Sequence, residues 1–484
     1  MELSALNINL FSVMPEILTT GLAIIVLIVD FFLGRKAKPA LGYLSIIGLL
    51  IILPVAAMTA ETAPSFGGTV MSDGFSAYFN VIFLIAAIFT ILISMDYLEK
   101  TGIERGEYYH IILFATVGMM VMASANDFIN LYVGLELMAL SFYILVAFRV
   151  ESSRSVEGAL KYFVLGALSS GILLYGIAFA YGASGSTNLG EMAAGLGSGQ
   201  DPFLVLGFIL IIVGFGFKVA VFPFHVWTPD VYEGAPTPVT ALLSIGSKAA
   251  AFAAFLRVFT VAFPALQPQW SEVLWLLSAA TMIFGSVVAI AQKNIVRMLA
   301  YSSIAHAGII LIGLLVYNDI GMAGVVYYLL VYLFMNMGAF AVVTHLRGDA
   351  GGVMKGENIS DYSGLVSKRP ALAFLMALFL ISLAGIPPTG GFAAKFFILS
   401  AAINAKFYWL ASIGVVSTAI SLFFYARVIF YMFVREPEAG VEQPGTGACY
   451  NVVLFCTAAG TIFLGIYPTP FIDLAIKAVK PFFM

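Results

Sequence analysis

Charged residues are scarce in this sequence. Lys and Arg number 23 and Asp and Glu number 26 among 484 residues. The charged fraction is therefore 10%, against about 25% in ordinary soluble domains. Because hydrophobic residues make up 61% of the chain, this balance excludes a typical soluble protein and favours one large bundle of membrane helices.

Cysteine and histidine are also few. The two cysteines and four histidines occur in no CxxC, HxxxH or haem-attachment spacing; they are Cys449, Cys456, His110, His225, His306 and His345. No GxGxxG or Walker-type loop follows a strand pattern. We therefore expect no iron–sulfur cluster, haem, structural zinc or nucleotide on this chain. Any energy source must then lie in another protein.

Apolar runs that could cross a membrane recur along the whole chain. A spanning helix needs about 20 residues, and fourteen runs meet this need: 13–33, 41–60, 75–95, 109–125, 127–148, 155–182, 202–231, 238–262, 271–291, 294–316, 320–346, 370–403, 406–432 and 448–470. The sequence thus predicts an all-α polytopic membrane protein. The first run is too long for a cleaved signal peptide and has an acidic flank, so we expect it to be retained.

Lysine and arginine are distributed unevenly between the links. The links after odd-numbered runs hold Arg35, Lys36, Lys38, Lys100, Arg105, Arg149, Arg154, Lys293, Arg297, Arg347, Lys355, Lys368, Arg369 and Arg435. The other links and the termini hold only Lys406, Lys477 and Lys480. Because basic links stay in the cytoplasm, both termini are expected on the periplasmic side of a bacterial inner membrane.

Two runs contain prolines that should break the helix. The seventh run holds Pro223 and Pro229, and the twelfth holds Pro387 and Pro388. Broken helices at membrane depth are tolerated where the freed backbone groups line a cavity or water. The breaks lie five runs apart, so we expect an inverted repeat of runs 4–8 and 9–13. The predicted segments are 1–105 with peripheral helices 1–3, 106–265 and 266–435 with the two repeats, and 436–484 with the last helix.

Three lysines lie where lysine is rarest, within long apolar stretches: Lys218, Lys248 and Lys395. A charge at the centre of a bilayer costs about 2.5–3.5 kcal/mol on insertion scales, so such residues usually face a protein-lined interior and mark an ion path. Lysine suits proton transport because burial lowers the pKa of a lysine and a nearby carboxylate raises it. Any one of the three could instead extend to the membrane surface from a misplaced helix end.

Three strings carry a resemblance to a known family: GLELMALSFYILVAF, GFGFKVAVFPFHVWTPDVYEGAPTPVTALLSIGSKAAAF and ENISDYSGLVSKRPALAFLMALFLISLAGIPPTGGFAAKFF. They resemble the antiporter-like membrane subunits of respiratory complex I, NADH:quinone oxidoreductase. The resemblance covers nearly the whole chain. It implies a proton-translocating subunit without a cofactor of its own, with NADH, FMN, iron–sulfur clusters and quinone in partner subunits. The implied partners are other membrane-arm subunits, including the neighbouring subunit M and small membrane subunits, and lipids, but no nucleic acid.

The resemblance also implies roles for particular residues. Glu136 of the fifth run would pair with Lys218, Lys248 would relay the proton, and Lys395 would exchange it at the end of the row. Two further family positions correspond to His225, on the proton route, and to Lys161, near Glu136.

Each of these residues has a plainer interpretation. Glu136 could be a structural hydrogen-bonding group, Lys161 a structural or gating residue, and His225 a residue satisfied by freed carbonyls. His306 could belong to the row or to the core, and His345 fits the core better. Arg257 and Arg427 are expected to pair with carbonyls, carboxylates or lipid phosphates. Glu16 and Asp30 are expected to lie at the membrane interface.

Two other functions remain open for the whole chain. A subunit of a multisubunit sodium/proton antiporter would share the same glutamate and lysine core and use no NADH. A scaffold that does not pump would use the lysines only to hold helices together.

Overall fold

The computed structural model is almost entirely helical. It describes residues 8–34, 37–60, 64–196, 202–350, 353–437 and 447–483. The helices are α1 (Met14–Phe32), α2 (Pro39–Met58), α3 (Gly74–Thr101), α4 (Glu107–Ser124), α5 (Phe128–Val146), α6 (Ser153–Ser184), α7 (Leu189–Gly195), α8 (Pro202–Val219), α9 (Trp227–Gly234), α10 (Thr237–Leu242), α11 (Lys248–Val261), α12 (Gln267–Ala291), α13 (Ile295–Val316), α14 (Asp319–Leu346), α15 (Leu365–Lys368), α16 (Pro370–Ala384), α17 (Gly390–Asn404), α18 (Tyr408–Val434), α19 (Ala448–Ile466) and α20 (Thr469–Val479). Strands β1 (Gly348–Ala350) and β2 (Val353–Lys355) form a short antiparallel hairpin.

The helices account for the predicted membrane crossings. Within the described residues, 13 segments are long and apolar enough to span a membrane, and one of them joins α10 to α11. The shorter pair α16 and α17 supplies a further, broken crossing. The predicted polytopic all-α fold is therefore confirmed. The short helix α20, which follows α19, was not predicted.

Both ends of the described chain lie at the same end of the bundle. Ser12, ahead of α1, is hydrogen-bonded to Ser65, which lies between α2 and α3. Phe75, at the start of α3, packs edge-on against Phe482 with ring centroids 5.0 Å apart. We call this end of the bundle the terminal face.

The centre of the bundle is formed by α11, α13 and α14, whose side chains are almost all buried. Large apolar side chains are instead exposed on α1, α2, α6 and α18. Since a helix satisfies its own backbone, these outer helices can face lipid without unpaired polar groups.

Both predicted helix breaks are present. Helix α8 ends at Val219, and Ala220 follows in the left-handed region with φ 62°. Helix α16 ends at Ala384, and Gly385 follows with φ 83°. A left-handed residue directly after a helix is a common way to end it. A third irregularity was not predicted: Leu243–Ser247 forms a π-helical segment between α10 and α11.

Glu16 lies in the first turn of α1, near the end of its span. Its side chain is buried between helices, and it accepts hydrogen bonds from Asn80 and Ser124. The packing of α1 against α4 covers it. Asp30 lies at the other end of α1 and forms an ion pair with Lys38.

The two arginines within the spans make the expected contacts. Arg257 forms two bonds of 2.9 Å to the carboxylate of Asp73 and a third, of 3.0 Å, to the carbonyl of Ala123. Arg427 donates to the carbonyls of Ile290 and Gln292. Each guanidinium is thus held by acceptors of the protein itself.

Candidate functional site

Lys218 lies in the last turn of α8, directly before the first helix break. Its side chain is 2% exposed, and its Nζ is buried without a hydrogen-bond partner. Glu136, on α5, is near enough to interact electrostatically with Lys218, and its Oε1 is also buried and unpaired. The structure therefore brings together the two residues expected to pair, but leaves them out of direct contact.

A tryptophan joins the two helices on either side of the break beside Lys218. Trp227, the first residue of α9, donates from Nε1 to the carbonyl of Phe217 at 2.9 Å. Its indole is stacked on Tyr162 of α6 with ring centroids 4.7 Å apart. The Phe217 carbonyl also accepts from the backbone N–H of Ala220 at 3.1 Å, so the indole is its second donor and fixes α9 relative to α8.

Lys248 is the first residue of α11 and directly follows the π-helical segment. It is 2% exposed. Its Nζ donates to the carbonyl of Ser303 on α13 at 2.7 Å and also to the Ser303 hydroxyl. A π-helical segment often marks a functional position because it displaces one residue from the regular helix pattern.

A second hydrogen-bonded group, on α13, α14 and α18, includes the residue that precedes Ser303 in the sequence. The neighbouring Ser302 is bonded to the hydroxyl of Tyr425. His306, one turn further along α13, is bonded through Nε2 to Tyr425 at 3.3 Å and through Nδ1 to Tyr328 at 2.6 Å. The imidazole is 3% exposed, and both of its nitrogens are engaged. His306 is therefore a buried residue that joins α13 to α14 and α18 through two tyrosine hydroxyls.

Lys395 lies on α17, shortly after the second helix break. Its Nζ donates to the carbonyls of Leu383 at 2.8 Å and Ala384 at 3.2 Å. These are the last two residues of α16. The C-terminal end of a helix carries partial negative charge, so the end of this half-helix stabilises the ammonium group.

A small cavity separates Lys395 from the histidine. Its volume is about 10 Å³, and its lining includes Lys395, His306, Ser302, Tyr425 and Ser421. A space of this size can hold about one water molecule if polar partners surround it. One water would thus complete a hydrogen-bonded connection between the His306 group and Lys395.

His225 lies in the first break, and its imidazole packs against aromatic rings. It packs against Phe222 and Phe284, with its ring centroid 4.6 Å from that of Phe284 on α12. Its Nδ1 is buried without a hydrogen-bond partner. The residue therefore lies inside the protein near the break, and its Nδ1 makes no hydrogen bond to a backbone carbonyl.

Lys161 forms ion pairs away from the buried lysine row. Its Nζ lies 2.7 Å from both Asp230 of α9 and Glu157 of α6. Asp230 also binds Arg297, which binds Glu233 in turn. These charged groups line a polar cavity of about 220 Å³. Lys161 thus ties α9 to α6, and it makes no direct ion pair with Glu136.

Sequence reasoning missed the hydroxyl groups of the site. Ser302, Ser303, Tyr328 and Tyr425 lie in apolar runs and attract no attention by composition. The string SSIAH could have indicated them, because positions 302 and 306 share one face of a helix. Among the described residues, no group of three or more His, Cys, Asp or Glu could hold a metal ion.

Comparisons with known proteins agree on one family. The family described as NADH:quinone oxidoreductase/Mrp antiporter, transmembrane, matches residues 125–421. NADH-quinone oxidoreductase subunit N of Trichlorobacter lovleyi is 45% identical over 481 residues, which cover 98% of each chain. The protein of the same name in Moorella thermoacetica is 41% identical, over 99% of each chain.

Solved structures lead to the same family. A chain of respiratory complex I from Thermus thermophilus with bound aureothin has a TM-score of 0.81 at 33% identity, covering 96% of this chain and 99% of that one. A chain of the Mrp complex from Dietzia sp. shares the fold, with a TM-score of 0.83 at 21% identity over 98% of both chains. This protein therefore belongs to the NADH:quinone oxidoreductase/Mrp antiporter family, with the relatives named NADH-quinone oxidoreductase subunit N, as its sequence resemblance predicted.

Proposed function

We propose that this chain moves protons across the membrane as subunit N of an NADH:quinone oxidoreductase. One observation carries the proposal: Lys218, Lys248 and Lys395 are all buried, and each lies at or near an irregularity of a membrane helix. Breaks of this kind occur in transporters where helices form an ion site. The names of the relatives indicate which enzyme complex the chain would belong to.

The first step would be a switch between Glu136 and Lys218. A buried ammonium group without a partner is costly, so an isolated Lys218 readily gives up its proton. Approach of the Glu136 carboxylate favours the charged form of the lysine, and separation favours release. The unpaired atoms of both residues represent the separated arrangement. A small movement of α5 or α8 would then control whether Lys218 holds its proton.

The second step would carry the proton from Lys248 to Lys395. Ser303 accepts from Lys248, and the adjacent Ser302 begins the group that includes Tyr425 and His306. An imidazole can accept a proton on one nitrogen and release one from the other. A water in the cavity beside His306 would pass it to Lys395. This order uses His306 as the link between the two lysines.

Two further residues have supporting roles in this proposal. His225, buried in the first break, would line the proton route. Lys161 would hold α9 in place through Asp230, on which the position of the break depends. This assigns Lys161 to positioning instead of direct proton transfer.

The two broken crossings support the predicted inverted repeat of spans 4–8 and 9–13. In the first, the lysine precedes the break, and in the second it follows the break. The order of lysine and break is thus reversed between the halves, as expected when a repeat runs in the opposite direction. The segments 106–265 and 266–435 would be these repeats.

The energy would come from other subunits. NADH, FMN, iron–sulfur clusters and quinone would bind there, since the redox reaction of the complex needs them. The membrane-arm neighbours would include subunit M and small membrane subunits. One surface suited to a neighbour is the outer side of α5 and α6, where Val133, Leu140, Phe163 and Leu168 are exposed beside the half-buried Glu136. The distribution of lysine and arginine supports periplasmic termini in a bacterial inner membrane.

The relay is tested with two variants in the assembled complex. Glu136→Gln and Lys218→Met are reconstituted in vesicles, and the protons moved per NADH oxidised are measured. We expect this ratio to fall in both variants, because neither can reform the switch. Lys477→Met, at an exposed position on α20, is the matched control and should pump normally. Unchanged proton pumping and turnover in both variants would disprove the relay.

A further inference from the structure

Glu16 is a buried carboxyl group that the lysine row does not use. It lies in the first turn of α1, near the terminal face, and its side chain is 7% exposed. The groups that surround it belong to α3 and α4, whereas Lys218, Lys248 and Lys395 belong to other helices. It is thus a separate site.

The hydrogen bonds of Glu16 are few and long. Its Oε1 lies 3.5 Å from Nδ2 of Asn80 and 3.3 Å from the hydroxyl of Ser124. The Ser124 hydroxyl has a single proton, and it lies closer, at 3.1 Å, to the carbonyl of Met120. The Oε2 of Glu16 is buried without any partner. A carboxylate would need several firm donors in such surroundings.

No cation neutralises Glu16 within the described part of the chain. Arg257 donates to the carbonyl of Ala123, the residue before Ser124. Its two Nη groups are already bound to the carboxylate of Asp73. Apart from Asp73 and Tyr78, the other described charged or titratable groups of α1–α4 and of the α1–α2 and α3–α4 links lie toward the opposite end of these helices: Asp30, Lys38, Tyr43, Asp96, Tyr97, Glu99, Lys100, Glu104, Arg105, Glu107, Tyr108, Tyr109 and His110. Tyr78, beside Asn80 on α3, is neutral.

The start of α1 gives only partial compensation. A helix N-terminus favours negative charge, and the Glu16 backbone amide is near its own carboxyl group. This effect is far smaller than the cost of removing a carboxylate from water. The neutral acid needs only one acceptor for its proton. Asn80 offers one, because its Oδ1 is also buried without a partner, and turning the amide over brings this oxygen toward the carboxyl group.

We propose that Glu16 holds a proton and, with Asn80 and Ser124, forms a second proton-binding site near the terminal face. The carboxylate takes one proton from the aqueous phase at that face, and the resulting O–H donates to the Oδ1 of Asn80. The site goes beyond the lysine relay and does not depend on it, because none of its three residues belongs to that row.

The protonation of Glu16 is tested by infrared spectroscopy of the assembled complex at neutral pH. The spectrum of the Glu16→Gln variant is subtracted from that of the unchanged complex. We expect a protonated carboxylic acid band that shifts in heavy water and is lost in the variant. Glu107→Gln is the matched control: this exposed residue of α4 should remove only carboxylate bands.

A second variant keeps the test decisive if Glu16→Gln does not assemble. Asn80→Leu removes the acceptor, so the acid band should shift to the frequency of a carboxyl group free of hydrogen bonds. Loss of carboxylate bands in Glu16→Gln, or an unshifted acid band in Asn80→Leu, would overturn the proposal. A Glu16 carboxylate band that depends on sodium concentration would also overturn it, since the site would then hold a metal cation.

Discussion

The three buried lysines differ in what surrounds their ammonium groups. Lys395 is bound by two carbonyls at the end of α16, and Lys248 is bound by Ser303. Lys218 has no hydrogen-bond partner. Lys218 is thus the lysine whose ammonium group is held least, whereas Lys248 and Lys395 each donate to two oxygen atoms. This difference could not be read from the sequence.

His306 is the residue whose role changes most between sequence and structure. We expect His306→Phe to lower the rate of proton pumping by at least roughly tenfold, which corresponds to about 1.4 kcal/mol on the barrier. The reason is that phenylalanine cannot accept or release a proton and loses both hydrogen bonds of the imidazole. The measurement is the initial rate of proton uptake in vesicles holding the assembled complex. His345→Phe is the control, because His345 packs against Tyr450 outside the row. Equal rates in the two variants would remove His306 from the route.

At the residue scale, the sequence identified the charged members of the site and missed the uncharged ones. A lysine in an apolar run is conspicuous because its depth is costly. Serine and tyrosine are common in membrane helices, so Ser303 and Tyr425 stand out only through their contacts. The burial of Glu16 could not be predicted, because nearness to a span end does not show which neighbours cover a side chain.

At the scale of helices, the half-helices explain how lysine can be stable in the bundle. Helix α16 ends in free carbonyls, and α17 returns close enough for Lys395 to bind them. This approach depends on small residues. A Cβ at Gly391 would lie 1.8 Å from the carbonyl oxygen of Ser382, and one at Gly385 would lie 2.8 Å from Cδ of Lys395. The glycines of the twelfth span therefore determine the geometry of the lysine site.

A single methyl group should test this packing. We expect Gly391→Ala to destabilise the chain by about 1–3 kcal/mol, because overpacking forces backbone shifts. Thermal unfolding of the purified complex and the amount of assembled complex are the readouts. Gly171→Ala on α6 is the control, since no atom lies within 4 Å of its Cβ position. Wild-type stability in Gly391→Ala would mean that α16 and α17 are less tightly joined than the structure indicates.

Helix breaks were easier to predict than the third irregularity. Proline removes a backbone donor wherever it occurs, so Pro223 and Pro388 indicate a break directly. The π-helical segment Leu243–Ser247 contains no proline. It reflects the packing of α10 and α11 against their neighbours, which no local pattern contains. The side chain of Asn336 on α14 donates to Ser244 within this segment at 2.7 Å.

At the scale of the whole molecule, the bundle has a buried centre that holds polar groups and an apolar outside. The side chains of Lys218, Lys248 and Lys395 are each at most 4% exposed, while α1, α2 and α18 expose leucine, isoleucine and phenylalanine. The relatives of this chain are named as subunits of NADH-quinone oxidoreductase. The proteins that assemble with this chain are therefore central to its function.

The identity of those proteins distinguishes a subunit of NADH:quinone oxidoreductase from a subunit of a sodium/proton antiporter. We expect an affinity-tagged form of this chain, extracted in mild detergent, to co-purify with subunits that show the absorption of flavin and iron–sulfur clusters. The reason is that the relatives at 45% and 41% identity are named subunits of NADH-quinone oxidoreductase. Recovery with membrane subunits alone, without flavin absorption, would instead favour a sodium/proton antiporter.

In the proposed relay, Lys248 transfers a proton and does not merely contribute a positive charge. Lys248→Arg keeps the charge and a donor for Ser303, but arginine does not release its proton. The decisive measurement is the number of protons moved per NADH oxidised by the Lys248→Arg complex in vesicles, with NADH oxidation by an artificial acceptor as the check on assembly. We expect this number to fall while oxidation with the artificial acceptor stays normal. A wild-type number of protons in this variant would show that Lys248 does not transfer the proton.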